Sequence, residues 1–252
     1  MENDDYESSP RPRRKGHEVK KAWSRQSPEK APALNLRGGQ VTGLEPQAKH
    51  PNRYNLFIDN HFALGLSALV ALKVRTGQEL TAEQVEALAA AEQLERAHEY
   101  ALRKLESRPR SENEIRRALA GKKYASEIVE QVVRRLQEAR LLSDREFAKF
   151  WVENREGFKP RSARALKYEL RQKGVPPDEI TRAVKHLDED ESAYRAARPK
   201  AERWKTLDAE AFKRKVSGFL ARRGFDYQVT RSTVARLWKE IQGEELSETD
   251  DS

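Results

Sequence analysis

Two clusters of cations are the side chains whose type and spacing could do chemistry in this sequence. They are Arg161, Arg164, Lys167, Arg171 and Lys173, and further on Lys213, Arg214, Lys215, Arg222 and Arg223. The chemistry they offer is electrostatic, the capture of a polyanion or an acidic groove. At about 100° per residue, with Leu166 set at zero, Leu170 falls near 40° and Ala163 near 60°, whereas Lys167, Arg171, Arg164 and Arg161 fall between about 100° and 220°. Core and charge therefore take opposite faces of one helix. In the second cluster Phe212, Val216, Phe219 and Leu220 form the apolar stripe, Arg214, Lys215 and Arg222 project from the other side, and Lys213 and Arg223 flank them. Residues 211–224 contain no acid. A helix face that is merely solvated interleaves Glu with Lys at i, i+4, so two bare cationic faces favour a binding surface.

Other chemistries find no constellation. The histidines (His17, His50, His61, His98 and His186) are scattered, none at i, i+4 from a second metal-ligand type. With no cysteine, disulfides, thiolate zinc sites and cysteine nucleophiles are excluded, and a reducing compartment is expected. "AGKKY" at 120–124 lacks the upstream Gly and the Ser or Thr of a phosphate-binding loop. The acidic run Asp188–Glu191 sits where a helix start would favour negative charge. No cofactor, metal or catalytic residue is expected, and the chain reads as a binder and not an enzyme.

The elements that must position the cations are small helical units. Only 37% of the chain is hydrophobic and 36% is charged, with a net charge of +8, too thin a composition for one thick core. Residues 1–51 mix Pro, Ser, Gly and both charge signs without apolar periodicity and are expected to be a disordered basic tail, with Trp23 in its basic cluster. Residues 52–92 are read as a β-hairpin plus a lead helix: Tyr54, Leu56 and Ile58 alternate, then Phe62, Leu64 and Leu66 after a turn at Asn60-His61. Thr81 is the expected N-cap of the lead helix. No stretch approaches the ~20 apolar residues of a membrane span, so a cytoplasmic protein without membrane contact is expected.

An internal repeat organises the rest. Ile115, Leu119, Lys123, Tyr124, Val133 and Leu136 superpose on Leu166, Leu170, Gly174, Val175, Val184 and Leu187, and these on Val216, Leu220, Gly224, Phe225, Val234 and Leu237. Each repeat holds a first helix, a second helix with apolar residues four apart, a turn, and a third helix with apolar residues three apart. The expected units are 93–142, 143–189 and 190–242, followed by an acidic disordered tail over 243–252. Gly174 and Gly224 are expected to end their helices in the left-handed conformation, and Lys123 in the same place implies strain or a different turn. Phe147, Phe150 and Trp151, spaced three and four apart, mark the buried side of a helix, and Pro199 should break or kink the first helix of the third unit.

"LLSDREFAKFWVENREGFKPRSARALKYELRQKGV" at 141–175 resembles the central stretch of the RecX family, through Leu141-Leu142, Ser143-Asp144, Phe147-Ala148, Gly157 with Pro160, and Glu169-Leu170 through Lys173-Gly174. "FLARRGFDY" is similar to the family's third-repeat motif, and "YNLFIDNHFALGLS" to the hairpin of its longer members. Thr230 departs from the pattern, standing where an aliphatic residue is usual. The resemblance implies a mainly α fold of three tandem three-helix repeats in an elongated, bent array behind a small β-hairpin. It also implies a monomeric regulator of the RecA recombinase in homologous recombination, DNA repair and the SOS response. Such a protein lies in the groove of the RecA–DNA filament and restrains filament growth, ATP hydrolysis, strand exchange and LexA cleavage. The other reading is a direct DNA-binding protein with tandem helix-turn-helix-like basic helices, touching single- or double-stranded DNA chiefly through phosphates.

Overall fold

The computed structural model describes residues 37–250, with side-chain environments through 243; Trp23 and the expected tail up to residue 36 lie outside the described residues. Strand β1 (Gly39–Gln47) begins just inside, pairing antiparallel with β2 (His50–Ile58), which pairs with β3 (His61–Ser67); a short β4 (Glu79–Leu80) completes the sheet in the order β3-β2-β1-β4. Residues 39–51, expected to belong to a disordered tail, instead run through strand β1 into the start of β2. β1 escapes the alternation test because "GQVTGLEPQ" buries Val41 alone and carries a register shift beside Pro46. Its partners hold it instead: Asp59 Oδ1 accepts from the Gln40 N–H at 3.0 Å and Thr42 Oγ1 from the Asn60 N–H at 2.8 Å. The hairpin turn lies at Asp59-Asn60, one residue earlier than expected, with φ of 49° and 64°. Asp and Asn tolerate that left-handed geometry, which a two-residue hairpin requires.

The sheet's inner face (Leu56, Ile58, Leu64, Leu66) packs on a short helix α1 (Ala68–Ala71) and on Val85 and Leu88 of α2 (Ala82–Ser107). Thr81 caps α2 in a reciprocal box with Gln84, as expected. No boundary falls at residue 92, because α2 is continuous: its first turns serve the sheet, and Ala97 and Ala101 serve the first helical unit. That unit is completed by α3 (Glu112–Ala120) and α4 (Ser126–Glu138). The second unit is α5 (Asp144–Phe158), α6 (Ala163–Gln172) and α7 (Pro177–Val184). The third is α8 (Glu189–Ala201), α9 (Ala209–Arg222) and α10 (Tyr227–Asp250).

Each unit encloses its own core, and the superposed apolar positions supply it: Ile115, Leu119 and Leu136, then Leu166 and Leu170, then Val216 and Leu220, are all buried. Phe147 is buried, whereas Trp151 packs half-buried at the rim of its core. Pro199 lies inside α8, which gives way after Ala201 to a 3-10 turn at Glu202–Trp204, since the proline ring removes a helical hydrogen bond. The expected disordered tail from 243 is instead the continuation of α10 to Asp250. Once a helix is nucleated each added residue gains a hydrogen bond, and the single Gly243 does not stop it.

Candidate functional site

The second helices α3, α6 and α9 carry the cations, and the same turn ends all three. The N–H groups of Tyr124, Val175 and Phe225 donate to the carbonyls of Leu119, Leu170 and Leu220 at 3.4, 3.1 and 3.3 Å, and those of Lys123, Gly174 and Gly224 to Ala120, Arg171 and Ala221 at 2.8, 2.9 and 3.0 Å. This is the paired bonding of a Schellman cap, which demands a left-handed residue. Lys123, Gly174 and Gly224 supply it with φ of 62°, 77° and 91°, so the turn at Lys123 keeps its shape and carries strain. Glycine is needed twice over at the other two. A Cβ on Gly174 would lie 2.5 Å from Asn113 Cβ, and one on Gly224 would lie 2.7 Å from Ser162 Oγ. Gly174 is pressed against the start of α3 and Gly224 against the start of α6, while Lys123 belongs to the first unit and has no earlier three-helix unit to meet. Lys123→Gly should therefore stabilise the protein: relieving about 1–2 kcal/mol of left-handed strain outweighs the ~0.5–1 kcal/mol lost to glycine's unfolded-state freedom. Urea denaturation checks the sign.

The junctions repeat in polar detail. Ser111, the N-cap of α3, accepts from the Glu114 N–H and donates its hydroxyl to the Lys173 carbonyl at 2.6 Å, while the Ser162 N–H at the α6 N-cap donates to the Arg223 carbonyl at 3.3 Å. Asp144 at the start of α5 accepts the N–H of Glu112 at 2.9 Å, and Glu189 at the start of α8 accepts that of Ala163 at 3.1 Å. The second helices α3 and α6 thus each receive at the positive N-terminal end a carbonyl from the C-terminal end of the next unit's second helix and a carboxylate from the next unit's first helix. Burial raises the Asp144 pKa, against the N–H bond that lowers it.

This architecture consumes several of the expected site residues. Lys173 Nζ bonds Glu114 Oε1 at 2.7 Å across the first junction, and Arg108 holds the same carboxylate at 2.9 and 3.0 Å. Burial alone would raise the Glu114 pKa, but the hydrogen bonds and charges of Arg108 and Lys173 outweigh it and hold the carboxyl at about 2. Because the folded value is depressed, this tie contributes stability above the ordinary value of 4.5 and loses it as pH falls toward 2. Acid titration of unfolding should accordingly show a stability loss in that window that shrinks in Glu114→Gln. Arg161 is pinned to Glu169 at 3.1 Å, and Glu169 also accepts from Trp151 Nε1 and Arg155. Arg155 and Lys173 both lie over the Trp151 ring. Arg223 donates to the Pro160 carbonyl at 2.9 Å and covers the Phe219 ring, and burial, then the charge of Arg161, lowers its pKa. Arg161, Lys173 and Arg223 are therefore braces of the array.

The remaining expected residues lie on the outside. Lys167, Arg171, Arg214 and Arg222 have no ion pair, hydrogen bond or ring contact among the described residues. Lys215 lies over the Trp204 ring, Lys213 pairs with the exposed Glu210, and Arg164 reaches the Gly224 carbonyl at 3.3 Å. That last bond joins the N-terminal end of α6 to the C-terminal end of α9, where Arg222 closes the helix. Tyr168 stands 61% exposed between Lys167 and Arg171, a stacking surface for a base or sugar. Its signal was in the sequence: two residues past Leu166, at about 200°, it falls within the cationic arc. The structure also assembles a cleft that sequence patterns did not suggest, where Arg53, Arg96, Arg103 and Lys122 surround Tyr100 and Tyr124. Arg53 and Arg96 are held there by the buried Glu92 at 2.5 and 2.7 Å.

Fold and surface together define a tandem helical-repeat protein whose outer faces carry cations without partners among the described residues. Comparison with known proteins agrees. The family descriptions "RecX, first three-helix domain", "RecX, second three-helix domain" and "RecX, third three-helix domain" match residues 97–136, 143–184 and 188–234, and "Regulatory protein RecX N-terminal domain" matches 39–81, including β1. A Regulatory protein RecX of Chlorobium limicola is 36% identical over 140 residues, 56% of this chain and 88% of the relative; one of Clostridium perfringens is 26% identical over 206 residues, 79% and 96%. A crystal structure of regulatory protein RecX superposes with a TM-score of 0.62 at 25% identity, covering 77% of this chain and 98% of its own. RecX from Lactobacillus salivarius shares the fold at 18% identity and a TM-score of 0.52, covering 58% and 97%. The chain belongs to the RecX family.

Proposed function

We propose that this protein is a non-catalytic regulator of the RecA recombinase that binds the RecA–DNA filament and inhibits its growth, ATP hydrolysis, strand exchange and LexA cleavage. The observation that carries this reading is the pair of cationic faces on α6 and α9, whose Lys167, Arg171, Arg214 and Arg222 have no partner among the described residues. A surface that spends none of its charge internally keeps it for phosphates and acidic protein loops. The junctions support a groove-binding role as well, because they hold successive faces in register, so that one monomer engages several sites at once. No helix among the described residues is long and apolar enough to cross a membrane.

Direct binding to bare DNA is the second reading, favoured by Tyr168 among the cations. The two separate on partner and salt, since bare-DNA binding needs no RecA and weakens steeply with salt. Substoichiometric protein should lower RecA's DNA-dependent ATP hydrolysis. Unchanged rates at equimolar protein, under conditions where the chain still binds DNA, would transfer the assignment to the second reading.

A further inference from the structure

We propose that the groove between α9 and α10 is a docking site for an acidic peptide segment that seats one aromatic or large aliphatic side chain on its floor. Trp238, Val234 and Ala235 of α10 form the apolar floor, and Thr230, buried at 7% exposure, lines the groove beside them. The departure from the family pattern at Thr230 therefore lies in this groove. The space measures 520 Å³, within the range of ligand-sized clefts. Its rim is cationic on both sides: Lys213 from α9, Arg231 and Lys239 from α10, with no acid lining it among the described residues. Arg231 and Lys239 have no ion pair or hydrogen bond among the described residues. The one partner of Lys213, Glu210, is 83% exposed, so that pair leaves the lysine available.

The chemistry of the ligand follows from these two features. An apolar floor gains only from an apolar group laid on it, and unpaired cations beside it select acidic neighbours. Arg231 and Lys239 are eight residues apart on one helix, hence about 12 Å at 1.5 Å per residue, the span of about four residues of extended peptide at 3.3 Å each. Acids two residues before and two after the anchor match that spacing. The exposed Tyr227, which also lines the groove, would give a nucleic acid a stacking face, but the floor itself favours an apolar side chain, because Trp238 packs on Phe212 at 5.0 Å between ring centres and Val234 and Ala235 are aliphatic. A second copy of this chain does not offer the acidic run at the start of α8, which is engaged, Glu189 with the Ala163 N–H, Asp190 with Ser232 and Glu191 with Arg236; its acidic segments at 2–7 and 244–251 are the ones the self-association arm of the test addresses. The proposal concerns a surface separate from Lys167, Arg171, Arg214 and Arg222 and stands independently of the function proposed for them.

The test uses the full chain without RecA and a fluorescein-labelled peptide Asp-Glu-Phe-Glu-Asp, read by anisotropy at low salt. Saturable binding is expected, weakened about tenfold or more when Phe in the peptide becomes Ala, and likewise by Arg231→Glu with Lys239→Glu. Ala235→Phe, at an exposed position, fills the groove without changing charge; it should abolish peptide binding while leaving the circular dichroism of the parent. The proposal is overturned if the Ala peptide binds equally well, or if folded Ala235→Phe binds as the parent does. It is also overturned if an oligothymidylate of equal charge competes through Arg231 and Lys239 yet is indifferent to Ala235→Phe, which would make the rim a nucleic-acid contact. Self-association of the parent that Ala235→Phe removes, with no peptide binding, would assign the groove to a second copy instead.

Discussion

Replacing Gly174 or Gly224 with alanine will uncouple neighbouring helical units while leaving each unit's core composition untouched. At φ of 77° and 91° an L side chain costs about 1–2 kcal/mol. The new Cβ would also press on Asn113 Cβ at 2.5 Å, or on Ser162 Oγ at 2.7 Å and Ala165 Cβ at 2.9 Å, where overpacking adds typically ~1–3 kcal/mol. Each variant should therefore lose about 2–5 kcal/mol, the sum of those two terms. The loss should show as a lower melting temperature and as protease cleavage between units. Gly157→Ala is the matched control: it lies within α5, nothing stands within 4 Å of its Cβ, and its φ is not positive. There the same substitution should stabilise by about 0.5–1 kcal/mol through helix propensity. Equal stability of all three variants would mean that the junctions bear no load.

The second large effect is on binding. Reversing Lys167, Arg171, Arg214 and Arg222 to Glu breaks no internal contact, so the unfolding midpoint should stay close to the parent's. Affinity for a RecA filament on single-stranded DNA should fall by about a hundredfold or more at low salt, since close like-charge contacts cost several kcal/mol and ~1.4 kcal/mol is a factor of ten. If all four meet phosphate, the slope of log affinity against log salt should shrink by about 3, at ~0.7 per single-strand phosphate. Lys173→Glu is the contrasting variant. It sets a second carboxylate against Glu114, so it should act first on stability. Parent-like filament binding by the quadruple reversal would show that these faces are solvated surface and no more.

The faces of α6 and α9 were legible because a helix is a local object. Leu166 and Leu170, or Val216 and Leu220, are four apart, one turn of a helix, and that spacing alone put Lys167, Arg171, Arg214 and Arg222 on the outside. The repeat was legible for the same reason, and so were the left-handed ends at Gly174 and Gly224. Strand β1 was not, since backbone pairing with β2 and the side chains of Asp59 and Thr42 hold it, and none of these leaves a periodic mark in "GQVTGLEPQ".

The sequence by itself determined three small helical cores, the direction each cationic face points, and the residue type at each helix end, all consequences of contacts within a few residues. Tertiary structure alone decided which cations are free to bind. Lys173 meets Glu114 across 59 residues and Arg223 meets the Pro160 carbonyl across 63, pairings that no periodicity encodes. Arg161 is bound to a carboxylate on its own unit, Glu169, that also serves Arg155 and the Trp151 ring on α5. The groove between α9 and α10 is likewise a product of packing, because its floor and rim come from two helices whose approach is set by Phe212 and Trp238 in the shared core.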